Sequence, residues 1–368
     1  MAAISIDRLQ KAFGAFQAIA DLSLTIADGE LVVLLGPSGC GKTTTMNCMA
    51  GLEAPTSGHI LFDGRDVTAM PPHQRNIAMV FQASTLYPHL TARENIAMSL
   101  HKSALSRSDV KRRVAEAAAT VDVTPLLDKL PGHLSGGERQ RVATAKAIVR
   151  QPSLFLLDEP LASLDASLRL TLRAELVNLQ KRLGTTMIFV THDQTEAMTI
   201  GDRIAIMRGG RLEQIATPDE IYAKPASRFV AGFIGSPPMN LLQGTVVEEK
   251  GRRVFTAAGV RIDLGAPEGT ELQEGAAVTL GIRPEHLAVG SVAAASGITG
   301  KVFAVEHLGR ESILIADCPD GTRLRAMLEP GGGPRIGDEV SFVVRKGATL
   351  HVFDDAAAGQ PAVARLLS

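Results

Sequence analysis

No stretch of this 368-residue chain approaches the roughly 18 apolar residues that a membrane-spanning helix needs. A role in a membrane process would therefore be played from the side, through a partner. Cysteine is scarce: Cys40, Cys48 and Cys318 are too few and too scattered for a disulfide framework, and no pair has metal-ligand spacing. A reduced, cytosolic compartment fits that usage. Asp7 and Arg8 interrupt the N-terminal MAAISIDRLQ before an apolar segment can form, so no secretory signal is expected. Net charge is also small, −1 from 38 basic and 39 acidic side chains. No overall basic field draws the chain onto nucleic acid or anionic lipid. Neither internal repeats nor low-complexity segments nor a basic arm are found.

What is present is ordinary globular material, 45% hydrophobic and 21% charged, enough for a sizeable core in two or three domains. The first part reads as α/β. LSLTI (22–26) and ELVVLL (30–35) flank Asp28-Gly29, a dipeptide that predicts a hairpin. LVVLL is continuously apolar, as a strand buried on both faces should be. Similar runs follow at Leu154–Leu157, Met187–Val190 and Ile204–Met207. Helical patterns separate them: Lys42–Ala50 closed by Gly51, Val110–Ala119 and Ala166–Arg182. That alternation predicts a parallel sheet. The texture changes near Gly235-Ser236-Pro237-Pro238. Beyond it come the strand-like runs GTVVEE, RRVFTA, VTLGI, ITGKVFAVEHL, SILIAD, TRLRAML, EVSFVV and TLHVF, which predict a small barrel-like β domain. The expected division is 1–236, 237–355 and a weakly patterned tail, 356–368.

Gly36-Pro37-Ser38-Gly39-Cys40-Gly41-Lys42-Thr43 fits G-x-x-x-x-G-K-[ST], directly after a predicted strand and opening a predicted helix. Glycines let successive backbone N–H groups curl around a phosphate, and the helix N-terminus adds donors and partial positive charge. Lys42 can reach the β- and γ-phosphates of ATP, and the Thr43 hydroxyl can ligate Mg²⁺. LFLLDEP (Leu154–Pro160) places two carboxylates at the C-terminal end of a buried strand, where open parallel sheets bind ligands. Strand ends often carry solvated acids, but a phosphate loop upstream gives these a task. Asp158 would hold Mg²⁺ through its hydration shell, and Glu159 would act as base or water-orienting group.

Between these lies LSGGERQR, Leu134–Arg141. Ser135 can N-cap a helix and Glu138 can complete a capping box, with Val142, Ala145 and Val149 as the apolar stripe. Capping does not require Gly136-Gly137. A Ser-Gly-Gly helix start is a second anion site, which points to two chains sharing each nucleotide.

With these motifs in this order the sequence resembles the ATP-binding-cassette (ABC) family over essentially its whole length, LSGGERQR matching the signature motif. The resemblance implies a P-loop NTPase cassette with a helical subdomain at about 85–150, followed by a small all-β, OB/TOBE-type domain. It implies a head-to-tail homodimer holding two ATP molecules. The phosphate loop and Thr44 of one subunit would face Ser135, Gly136, Gly137, Glu138 and Asp165 of the other. Gln82, in VFQ, matches the glutamine that contacts Mg²⁺ beside Thr43 and Asp158, partly through water. Ser163-Leu164-Asp165 matches the loop that touches the opposite subunit. His192 matches the switch histidine, catalytic with Glu159 and Lys42, although a lone histidine after a strand is more often structural. Phe13 matches the aromatic that stacks on adenine, although an isolated Phe is usually core. Three positions depart from the family: Glu138 where Gln is usual, LASLD where LSNLD is commoner, and Lys146 where Arg is usual.

Two segments narrow the branch. Thr85–Leu100 resembles the region that receives a transmembrane subunit, giving an expected contact region of about Gln82–Leu100. Thr191–Asn240 and GIRPEHL (Gly281–Leu287) are similar to carbohydrate-importer ATPases of the maltose and glycerol-phosphate type. The implied protein is a peripheral ATPase on the cytoplasmic face of the inner membrane. It serves two permease subunits and, indirectly, an extracytoplasmic solute-binding protein, and needs no nucleic acid. A polyamine or anion importer ATPase shares nearly all these motifs. A soluble ABC ATPase acting on nucleic acid or the ribosome would usually carry two cassettes or a coiled-coil insertion.

Overall fold

The computed structural model describes residues 2–81, 85–101, 103–162, 164–249, 251–257, 260–265, 274–290, 297–329, 331, 333–354 and 361–365. The chain forms two compact units, Met1–Pro218 and Asp219–Ser368.

In the first unit the strands are β1 (Ile4–Phe13), β2 (Phe16–Ile26), β3 (Leu31–Leu35), β4 (Ser57–Phe62), β5 (Arg65–Asp66), β6 (Ile77–Val80), β7 (Leu154–Asp158), β8 (Thr186–Thr191), β9 (Arg203–Arg208) and β10 (Arg211–Ala216). The helices are α1 (Lys42–Ala50), α2 (Ala92–Met98), α3 (Arg107–Thr120), α4 (Gly136–Ile148), α5 (Ala166–Leu183) and α6 (Gln194–Ile200). The strands form one mixed sheet in the order β5-β4-β1-β2-β10-β9-β3-β8-β7-β6. Its heart is parallel: β3 pairs with β8 and β9, and β7 with β8 and β6. Every residue of β3 and β8 is buried, which explains runs with no polar alternation.

The expected hairpin at Asp28-Gly29 does not form. The chain does turn there, with Gly29 at φ 73° and Glu30 N–H donating to the Ala27 carbonyl at 3.2 Å. β2 pairs instead with β1 and, at one position, β10, while β3 passes into the parallel sheet. A strand that is apolar on both faces is stable only with cover on both, which a peripheral hairpin cannot supply. The local turn preference was right and the pairing partner was decided elsewhere.

Helices α2, α3 and α4 all lie between β6 and β7 in sequence, and α4 packs against both α2 and α3. Thr91, Ser106 and Ser135 N-cap them, each hydroxyl accepting a backbone N–H. The apolar stripe Val142, Ala145 and Val149 is buried.

The second unit begins with two short helices, α7 (Pro218–Ala223) and α8 (Arg228–Phe233). Its strands are β11 (Asn240–Glu249), β12 (Arg252–Ala257), β13 (Val260–Gly265), β14 (Ala277–Ile282), β15 (Leu287–Gly290), β16 (Ile298–His307), β17 (Ser312–Asp317), β18 (Arg323–Leu328), β19 (Glu339–Val344), β20 (Thr349–Asp354) and β21 (Pro361–Arg365). They make two sheets, β13-β12-β11-β14-β20-β21 and β15-β19-β16-β17-β18. Both sheets feed one core: Phe255, Leu280 and Val352 from the first meet Leu314, Leu324 and Phe342 from the second. Asn240 links the sheets. Its amide donates to the Ile282 and Arg325 carbonyls at 3.1 and 2.8 Å and accepts from Arg325 N–H at 2.7 Å.

The expected tail differs from the structure, because β21 pairs antiparallel with β20. An edge strand gains its order from a neighbour's free backbone groups, so it needs no strong pattern of its own. In GIRPEHL, Arg283 is only 1% exposed. Its guanidinium lies 3.8 Å from the Tyr222 ring centroid and donates to the Tyr222 carbonyl at 2.7 Å and to the Ile234 carbonyl. This residue ties α7 and the end of α8 to the end of β14.

Candidate functional site

The strand order places three loops side by side at one end of the sheet. In β3, Leu35 pairs with Thr191 of β8, and in β7 Asp158 pairs with Val190 of β8. The phosphate loop after β3, Thr191-His192 at the end of β8 and Asp158-Glu159 at the end of β7 are therefore neighbours. Parallel pairing in register produces this, because every C-terminal strand end then falls on the same edge.

The loop itself is shaped by glycine. A Cβ at Gly36 would sit 2.3 Å from the Met207 carbonyl oxygen, and one at Gly41 would sit 2.6 Å from that of Ala18. Gly41 also holds φ 104° as the N-cap of α1, a conformation L side chains rarely adopt. Lys42 is 7% exposed and curls back into the loop, donating to the Gly36 and Pro37 carbonyls at 2.7 and 3.0 Å. Pro37, Ser38, Gly39 and Thr43 are exposed, Thr44 half-buried and Cys40 buried.

Burial pushes the Asp158 carboxyl up, and the neighbouring Glu159 charge adds to this. The Thr43 hydroxyl and the Lys42 ammonium act in the opposite direction. Asp158 Oδ1 is buried without a hydrogen-bond partner. A carboxylate oxygen in that condition fits a cation or its hydration shell, since an unpaired buried acceptor is otherwise destabilising. Glu159 holds φ 44°, which for a non-glycine residue stores about 1 kcal/mol or more. Its N–H donates to the Val190 carbonyl at 3.0 Å, which secures the turn. One Glu159 oxygen lies 3.1 Å from His192 Nδ1.

The residues expected to act on a second subunit form their own cluster. Ser135 caps α4 in a full capping box with Glu138, whose carboxylate accepts the Ser135 N–H at 2.7 Å. A Cβ at Gly137 would approach the Leu168 side chain to 2.9 Å, and one at Gly136 would lie 3.6 Å from Leu164. Gly137 thus has a packing role as well: it lets the start of α4 lie against the start of α5. Asp165 N-caps α5 through Leu168 N–H at 3.0 Å. Phe13, 46% exposed at the end of β1, has the Lys11 ammonium 4.6 Å from its ring centroid. Gln82 and Ser163 lie outside the described residues, as do the other positions of 82–84 in the expected contact region.

Two residues near the site had no sequence signal. Arg75 is buried and spends its guanidinium on four carbonyls: Met70 and Thr68 at 2.7 and 2.9 Å, and Cys48 and Met49, at the C-terminal end of α1, at 2.7 and 2.9 Å. A cation there complements the helix macrodipole and anchors the helix that carries Lys42. Arg169, on α5, contacts groups in two separate loops. Cys48 and Met49 for Arg75, and Asp193 and Glu196 for Arg169, are distant in sequence, so no spacing could reveal those contacts.

Comparison with known proteins identifies the family. Residues 19–162 match the family model "ABC transporter", 235–287 match "MalK OB fold domain" and 280–353 match "TOBE domain". The sn-glycerol-3-phosphate import ATP-binding protein UgpC of Cereibacter sphaeroides is 45% identical, covering 96% of this chain and 98% of that protein. The sulfoquinovosyl glycerol transport ATP-binding protein SmoE of Agrobacterium fabrum is 44% identical, with 96% and 98% coverage. The trehalose import ATP-binding protein SugC of Mycobacterium tuberculosis is 49% identical, covering 78% of this chain and 73% of that protein. The solved structure of cbiO1 from Clostridium perfringens, part of the ABC transporter complex cbiONQ, has a TM-score of 0.57 at 28% identity, covering 60% of this chain and 90% of that one. Among the described residues no helix is long and apolar enough to cross a membrane. The chain belongs to the ABC transporter family, as an ATP-binding, ATP-hydrolysing subunit of an importer.

Proposed function

We propose that two copies of this chain clamp two ATP molecules head to tail and so energise uptake of a sugar or a related polyol or glycerol phosphate. Import runs through two separate transmembrane subunits, which this dimer serves from the cytoplasmic face of the inner membrane. An extracytoplasmic binding protein delivers the solute. The observation that carries this reading is the meeting of Lys42, Asp158, Glu159 and His192 at adjoining strand ends. Ser135, Gly136 and Gly137 form a second, separate surface beside Leu164 and Leu168. A chain with two half-sites completes neither alone. The relatives' solutes, glycerol 3-phosphate, sulfoquinovosyl glycerol and trehalose, support the solute class.

In this reading Lys42 and the loop N–H groups hold the phosphates, and Phe13 stacks on adenine with its open ring face. Thr43 and Asp158, with Gln82, would hold a magnesium ion; the unpaired Asp158 oxygen supports this. When bound, that ion neutralises charge on the phosphate oxygens. Glu159 orients the attacking water and takes its proton as the new bond to the γ-phosphorus forms. The bond to the β-bridging oxygen breaks, leaving ADP and phosphate. His192 contacts the γ-phosphate side. Ser135, Gly136, Gly137, Glu138 and Asp165 of the other copy close the site.

The test is ATPase activity of the chain reconstituted with its permease subunits and binding protein, measured against glycerol 3-phosphate, trehalose and a polyamine. Stimulation by a sugar or glycerol phosphate supports the reading. Stimulation by the polyamine alone moves the solute class. Affinity capture that recovers ribosomes or DNA and no membrane subunit overturns import.

A further inference from the structure

Arg169 lies one turn past Asp165 on α5, and its guanidinium reaches in three directions. One terminal nitrogen donates to the Leu164 carbonyl at 3.0 Å. The other lies 3.7 Å from Asp193 Oδ2, and Nε lies 3.9 Å from Glu196 Oε1. Nε is buried and makes no hydrogen bond, so the Glu196 carboxylate is its electrostatic counterpart.

Those two carboxylates belong to the framework around His192. Glu196 is 3% exposed and accepts the Thr191 hydroxyl at 2.6 Å. The same Thr191 oxygen accepts Asp193 N–H at 3.0 Å. Asp193 in turn caps α6 by accepting Thr195 and Glu196 N–H at 2.7 and 3.1 Å. His192 therefore stands between two residues that are each held from behind. Its own ring is largely exposed and touches Glu159. Burial pushes the Glu196 carboxyl up, and the Arg173 and Arg169 charges oppose that.

We propose that Arg169 is a positioning residue: it ties the Leu164–Asp165 loop to the backbone that aims His192 at Glu159. The proposal rests on the catalytic reading of His192 and Glu159 above and adds a physical link between that pair and the loop that faces the second subunit. A shift of the Leu164 carbonyl moves the guanidinium, and the guanidinium holds Asp193 and Glu196. The planar fork meets a carbonyl and two carboxylates from three separate nitrogens, whereas a lysine offers all its donors from one point.

The test is steady-state ATP hydrolysis by the purified full chain, with unfolding midpoints measured alongside. Arg169→Met should lower kcat roughly tenfold or more while KM for ATP stays unchanged, the signature of a misaimed catalytic group. Arg169→Lys should recover part of that loss. In a His192→Ala background, Arg169→Met should cause no further loss, because its effect runs through the histidine. Losses that multiply, or a wild-type kcat in Arg169→Met beside an impaired His192→Ala, overturn the proposal. Wild-type turnover in both His192→Ala and Glu159→Gln instead overturns the catalytic reading beneath it. Should Arg169→Met fail to fold, Asp193→Asn, which keeps a capping oxygen, must show the same kcat loss for the proposal to stand.

Discussion

Lys146 Nζ donates to the Thr85 carbonyl at 2.7 Å and lies 4.5 Å from the Tyr87 ring centroid. The Lys146 carbonyl accepts the Ser99 hydroxyl at 2.9 Å. One residue near the C-terminal end of α4 thus holds both the approach to α2 and its exit. The N-terminal end of the same helix carries Ser135, Gly136 and Gly137. A 13-residue helix therefore joins the stretch proposed to meet the permease to the surface proposed to meet the partner's nucleotide. Lysine where the family usually has arginine keeps the charge, and burial holds its ammonium below the usual lysine range.

Lys146→Met should release Thr85–Tyr87 from α4. Backbone amide exchange across that stretch should rise while α4 itself stays protected. Unchanged exchange would show that the segment is held by packing alone. Lys146→Arg should preserve the wild-type pattern.

Glu159→Gln should reduce hydrolysis by roughly a hundredfold or more, because the amide cannot take the proton. ATP binding should survive, and size-exclusion chromatography with ATP should show accumulation of a dimer. Near-normal turnover would contradict the assigned role.

Lys42→Ala should weaken ATP binding itself by tenfold or more, read by equilibrium titration with a fluorescent ATP analogue, since it removes the only lysine in the phosphate loop. Unchanged affinity would mean that the loop has another task.

Arg75→Met should lower stability by roughly 3 kcal/mol, because buried carbonyls lose a charged donor. The measurement is urea unfolding followed by circular dichroism. A loss below about 1 kcal/mol would show that water replaces the guanidinium.

His351 supplies a pH dependence. The ring is buried in β20, which pushes its pKa down from 6.5 to about 4, with Arg283 and His286 adding to the effect. The folded state prefers the neutral ring. Its contribution is complete above pH 6.5 and is lost as pH falls toward 4, amounting to about 3 kcal/mol at most. His351→Leu should flatten that part of the unfolding profile between pH 7 and pH 4. An unchanged profile would assign the acid sensitivity to other groups.

Much of the chemistry was readable in the chain because it depends on contiguous residues. Gly36–Thr43 forms its loop from its own backbone, and the Ser135–Glu138 capping box closes within one turn. The continuous apolar runs of β3, β7 and β8 also announced themselves, since burial on both faces leaves no polar alternation. Asp28-Gly29 misled because turn chemistry is local and strand pairing is not. The β21 strand went unseen because its order comes from the neighbouring edge of β20.

The sequence by itself determined which groups this protein brings to a nucleotide: a glycine-shaped anion loop, two acids after a buried strand, a histidine after another, and a second helix start suited to an anion. Each follows from short-range rules of dihedral freedom, capping and burial. Only the tertiary structure decided how those groups stand relative to each other. Parallel register puts Asp158, Glu159 and His192 beside the loop at Gly36–Thr43. Arg75 reaching Cys48 and Met49, Lys146 reaching Thr85, and Arg169 reaching Asp193 and Glu196 anchor the surrounding pieces through partners that no spacing in the chain connects, because those contacts exist only once separate segments have packed.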